Sequence, residues 1–136
     1  MTLEKHSLMN DLESNFRNFL EHTLEGVWVL DLSKNAVFAN TRMGDILGAE
    51  KDDFKAERLW DFIPADDESI LVSRIETVLK TGKSVQTQIS YECPTDSPVF
   101  CILDINPVFD HSGRVSGIIG NNIPGLSLNR SKRAAN

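Results

Sequence analysis

Histidine, cysteine, basic charge and long apolar runs are all scarce in this chain of 136 residues, and each shortage removes a class of function. No run approaches the roughly 18 apolar residues of a membrane-spanning helix. The first fourteen residues, MTLEKHSLMNDLES, carry no signal-peptide-like apolar stretch, so the chain reads as cytoplasmic. Fourteen Lys and Arg stand against twenty Asp and Glu, a net charge of −6. That balance offers no basic stripe for nucleic acid. The three histidines, His6, His22 and His111, are far apart, and no Cys/His set has metal-ligand spacing. Gly117-Ile118-Ile119-Gly120 lies inside a strand pattern and makes no phosphate loop. No nucleophile-elbow motif and no nucleophile–base pairing appear, so an enzyme is not expected. The two cysteines, Cys93 and Cys101, sit in apolar stretches and read as reduced core thiols. A redox pair would need an offset hairpin register.

What is present is ordinary for one domain: 40% hydrophobic and 25% charged residues. The clearest pattern runs from 84 to 123 and predicts three antiparallel strands. In 84–93, Val85, Thr87, Ile89, Tyr91 and Cys93 alternate with Gln86, Gln88, Ser90 and Glu92, the signature of a half-buried strand. The alternation does not say which face points inward. Residues 94–98, PTDSP, stop it. The stretch 99–109 is apolar on both faces, which predicts cover on both sides. Asp110-His111-Ser112-Gly113 makes a tight turn into a third strand, 115–123.

Upstream, residues 1–23 read as an amphipathic helix with Met9, Leu12, Phe16 and Phe19 on one seam. That seam either packs on its own domain or meets its copy in a dimer. Residues 26–39 read as a β-hairpin with Asn35 in the left-handed turn position. Asn40 is typed as the N-cap of a short helix closed by Gly48. Residues 60–64, WDFIP, form an apolar knot expected to be buried. Asp66 or Asp67 is expected to cap a long helix over 67–81, with Leu71, Ile75, Val78 and Leu79 inward and Gly82 as the stop. The element order is α+β with an antiparallel sheet. The unit is 24–125, followed by a polar tail, 126–136.

Several pieces, in this order and spacing, resemble a PAS domain over most of the chain. They are Phe16-Arg17-Asn18-Phe19-Leu20-Glu21 followed by Glu25-Gly26-Val27-Trp28-Val29-Leu30-Asp31, then Val37-Phe38-Ala39-Asn40, Ile46-Leu47-Gly48, Phe62-Ile63-Pro64-Ala65-Asp66-Asp67 and Asn106-Pro107-Val108-Phe109-Asp110-His111-Ser112-Gly113. The resemblance implies a five-stranded antiparallel sheet in the order 2-1-5-4-3, with helices enclosing a pocket on one face. It implies a sensory or regulatory module, often a homodimer, feeding a kinase, cyclase or transcription regulator that lies outside this chain.

Candidate pocket residues under that resemblance are Phe54, Trp60, Phe62, Ile75, Leu79, Ile89, Tyr91, Phe100, Ile102, Asp104 and Ile118. The aromatics among them are equally at home in a core. Asp104 either sits at a rim with a local partner or anchors a ligand at the pocket wall. Which ligand, if any, the sequence does not name. Haem-binding relatives carry a histidine on the long helix, and 67–81 has none. Flavin photosensors need a reactive cysteine between the second strand and the long helix, and both cysteines come later. The family often leaves its last strand through an acidic-Ile-Thr triplet into a signalling helix. Here the place reads Asn122-Ile123-Pro124-Gly125, and proline disfavours a helix continuing directly from the strand.

Overall fold

The computed structural model describes residues 14–48, 55–93 and 97–125. In chain order the elements are α1 (Ser14–His22), β1 (Gly26–Leu30), β2 (Ala36–Ala39), α2 (Thr41–Leu47), a 3₁₀ helix (Ala56–Phe62), α3 (Ala65–Thr81), β3 (Val85–Tyr91), β4 (Val99–Phe109) and β5 (Val115–Pro124). The strands form one antiparallel sheet in the order β2-β1-β5-β4-β3. Among the described residues no helix is long and apolar enough to cross a membrane.

The sheet has two unequal faces. β1, GVWVL, is buried at all five positions because β2 and β5 flank it and side chains cover both its faces. Its inner residues Trp28 and Leu30 meet Leu103 and Ile105 of β4, Ile118 of β5, and Ile89 and Tyr91 of β3. Leu71, Ile75 and Val78 of α3 close over them, joined by Met43, Ile46 and Leu47 of α2. The outer face holds a smaller cluster, Val29 and Val108 with Val37, Phe38 and Ile119. β4 departs from expectation here. Cys101, Leu103 and Ile105 are buried, but Phe100 and Ile102 on its other face are only half-buried, so that face is covered less than the inner one. The expected knot at 60–64 is buried only at Ile63; Trp60 and Phe62 are half-buried, and exposed Asp61 pairs with Arg58 at 3.1 Å.

Asn40 caps α2 as expected, accepting from the Met43 N–H, and Gly48 ends the helix at φ 69°. α3 starts earlier than the sequence predicts. Pro64 holds the N-cap position, and Asp67 is freed from capping. Its carboxylate instead accepts the Ser90 N–H at 2.7 Å and the Ser90 hydroxyl at 2.6 Å, pinning the helix to the edge strand. Next to it the Glu92 N–H donates to the Phe62 carbonyl at 2.7 Å.

In the β1–β2 turn Lys34, not Asn35, takes positive φ, at 70°. The buried Asp31 carboxylate accepts the N–H groups of Ser33 and Asn35, both at 2.9 Å, and that geometry puts the left-handed residue between them. The Trp60 indole donates to the Lys34 carbonyl at 2.8 Å, and the Lys34 ammonium pairs with Glu76 of α3.

Asp110 organises the β4–β5 turn in the same way. Its Oδ1 accepts from the Ser112 hydroxyl at 2.7 Å, the Ser112 N–H at 2.8 Å and the Arg114 N–H at 3.0 Å. Those donors, the Ser112 hydroxyl first, hold the carboxyl below its usual range. A depressed folded-state value makes the turn's support complete above the ordinary carboxylate range and lost as pH falls through the folded value. The amide resonances of Ser112 and Arg114 should therefore titrate with a midpoint below about 3.9, and Asp110→Asn should abolish the step. A midpoint at or above that value would refute the capping account.

Candidate functional site

The face of the sheet under α3 is the one on which the resemblance implies a pocket, and strand parity decides what stands there. Trp28 pairs across the sheet with Gly120. A Cβ on Gly120 would come within 2.4–2.6 Å of the Trp28 ring atoms Cζ2, Cη2 and Cε2. Glycine is required at 120 because the indole lies flat on the backbone of β5. The indole Nε1–H donates to Tyr91 Oη at 3.0 Å. The Tyr91 hydroxyl donates to Asn122 Oδ1 at 2.6 Å, and Asn122 Nδ2 donates to the Gly26 carbonyl at 3.1 Å. All three side chains are wholly buried. Burial pushes the Tyr91 phenol far above its ordinary range, so it remains a donor. Among the described residues no buried side-chain polar atom lacks a partner.

The ten pocket candidates among the described residues divide between two faces. Ile75, Ile89, Tyr91 and Ile118 share the inner core, with Leu79, Trp60 and Phe62 packed at its margin. Phe100, Ile102 and Asp104 have the opposite parity and stand on the outer face, so they cannot line the same pocket. Asp104 has a local partner there: Gln86 Nε2 donates to its Oδ1 at 2.8 Å. Beside it the Ser84 hydroxyl donates to Asn106 Oδ1 at 2.6 Å, and Asn106 Nδ2 donates to Asn121 Oδ1 at 3.3 Å. The polar alternation of β3 thus faces outward. Phe54 lies outside the described residues.

Cys93 and Cys101 are not joined in a disulfide. Cys101 is buried opposite Ile89, and desolvation lifts its thiol to about 12. Among the described residues no group of three His, Cys, Asp or Glu could hold a metal ion. α3 carries no histidine, and the His22 ring bonds locally to the Asn18 carbonyl at 2.8 Å.

α1 is the second feature. Leu20 is buried, while Phe16 is 39% and Phe19 62% exposed. The two rings stack at 6.2 Å between centroids, 9° from parallel. Their seam partners Met9 and Leu12 lie outside the described residues. Asn40, almost fully buried, joins this helix to the domain through Nδ2, which donates to the Leu20 carbonyl at 2.6 Å. Sequence spacing marked Asn40 only as a cap, and it gave Trp28 and Asn122 no role. The available signal for Asn122 was parity: it falls in register with Ile118 and Gly120, positions a core strand would give to buried side chains.

Comparison with known proteins agrees with this architecture. A crystal structure of the Rhodobacter sphaeroides LOV protein superposes with a TM-score of 0.65 at 18% identity, covering 96% of this chain and 73% of that one. The PAS domain of a Colwellia psychrerythraea protein superposes with a TM-score of 0.68 at 12% identity, covering 80% and 92%. A sensory box histidine kinase/response regulator structure from Burkholderia thailandensis gives 0.68 at 13%, covering 90% and 92%. At these identities the likeness is one of fold. No curated protein matches the chain in sequence. The sequence pattern of the PAS fold family matches residues 14–123, and the chain belongs to that family.

Proposed function

We propose that this chain is the regulatory PAS module of a signalling protein and works by homodimerisation through α1, with an output domain of histidine-kinase or transcription-regulator type, or a partner protein, outside the chain. The observation that carries it is the stacked Phe16–Phe19 pair, exposed on a helix that buried Leu20, one turn on from Phe16, anchors to the domain. Two aromatics held together in water favour a partner surface. Support for contact-driven action over ligand capture comes from the inner face, where Trp28, Tyr91 and Asn122 satisfy one another and, among the described residues, no buried side-chain polar atom is left unpartnered for a guest. Small-ligand sensing is the second reading, favoured by half-buried Trp60 and Phe62 at the core margin. The net charge of −6 fits neither a nucleic-acid nor an anionic membrane partner.

Sedimentation equilibrium should find a dimer. Phe16→Ser with Phe19→Ser should weaken it by about a hundredfold or more, the equivalent of about 3 kcal/mol of lost apolar burial, at unchanged domain Tm. Native mass spectrometry of the chain purified from its source should give protein mass alone. A strict monomer at high concentration sinks the proposal, and a co-purifying small molecule moves the reading to the sensor.

A further inference from the structure

Three consecutive residues at the start of α2 reach α1 or its exit. Asn40 Nδ2 donates to the carbonyls of Leu20 at 2.6 Å and Glu25 at 3.1 Å. The Thr41 N–H and hydroxyl donate to the Glu21 carboxylate at 3.0 and 3.2 Å. Arg42 Nε donates to the Leu24 carbonyl at 3.1 Å. A helix of nine residues is marginal on its own in water. These contacts, with buried Leu20, tie it to the domain.

Asn40 also faces the other way. Its Oδ1 accepts the N–H groups of Val27 and Met43, both at 2.9 Å. The one amide therefore brackets Gly26, through the Glu25 carbonyl on one side and the Val27 N–H on the other. Gly26 has no slack. Its carbonyl accepts from Asn122, the end of the chain that starts at Trp28. A Cβ on Gly26 would lie 2.6 Å from Ile46 Cδ1 and 2.9 Å from Met43 Sδ. A displacement of Asn122 must be followed by the backbone at 26 and then by Asn40.

We infer that residues 40–42 are a clasp that sets whether α1 is held against the domain, and that the Trp28–Tyr91–Asn122 chain acts on this clasp through Gly26. The inference rests on the reading of α1 as the self-association arm and supplies its regulation. Coupling of this kind is a difference measurement between two backgrounds.

The test is amide hydrogen exchange on the whole chain, at a dilution where sedimentation shows monomer. Glu21→Ala with Arg42→Ala should speed exchange in residues 18–22 about tenfold or more and leave β1, β4 and β5 unchanged. Alanine is the better helix former, so lost helix propensity cannot produce that result. Asn40→Asp, which keeps both acceptor bonds and a capping side chain but sets an oxygen against two carbonyls, should release α1 likewise. Tyr91→Phe should speed α1 exchange about threefold or more with the clasp intact and add nothing in the Glu21→Ala/Arg42→Ala background. The clasp is overturned if α1 exchange stays within about twofold of wild type in both clasp variants. The coupling is overturned if Tyr91→Phe acts equally in both backgrounds. A chain monomeric at every concentration overturns the self-association reading and leaves these exchange outcomes readable.

Discussion

Trp28→Ala should destabilise the domain by about 3–5 kcal/mol, the largest effect of any single substitution at the inner face. The indole is wholly buried, and its removal both opens a cavity and strips Tyr91 of its donor. Against a total stability of about 5–15 kcal/mol, the variant is left close to unfolding. The packing account makes a sharper claim through Gly120. Gly120→Ala should cost about 2–3 kcal/mol, because the new methyl meets the atoms of a rigid, wholly buried ring. In a Trp28→Leu background the same change should cost less than about 1 kcal/mol, since the ring is gone and alanine is the less flexible residue in the unfolded chain. Urea unfolding of the four proteins measures the cycle. Additive costs would show that something other than the indole demands glycine at 120.

The second large effect is Asn40→Ala, about 3 kcal/mol, or a Tm lower by on the order of 10 °C. The helix cap accounts for about 1 kcal/mol of it. The remainder comes from the Val27 N–H and the Leu20 and Glu25 carbonyls, which lose their partner at a site almost closed to water. Asn40→Ser restores the cap alone and should recover only that first part. A total loss under about 1 kcal/mol would mean that water replaces the amide and that Asn40 is no more than a cap.

The three-strand meander and the helix above it were legible because period-two and helical spacings are local, and they predicted each element's type. The face of β4 was not legible. Phe100 and Ile102 are as apolar as Leu103 and Ile105, so hydrophobicity assigns neither set inward. What assigns them is a partner far along the chain, with Tyr91 reaching Asn122 and Trp28 reaching Gly120, and such pairs leave no mark in spacing. The same holds at the helix starts. Asn40 behaves as its residue type predicts, but the expected cap on α3 fails because Asp67 finds Ser90, twenty-three positions away, a better-placed donor pair.

That diversion of Asp67 bears on colloidal behaviour. β3 ends the sheet, and a border strand with open main-chain donors invites a foreign strand to zip onto it. At Ser90 and Glu92 those donors are already spoken for, by a carboxylate and by the Phe62 carbonyl. An intruding strand would have to displace a negative charge to start pairing there, so the module guards itself against fibril-type assembly at the end of its border where α3 begins.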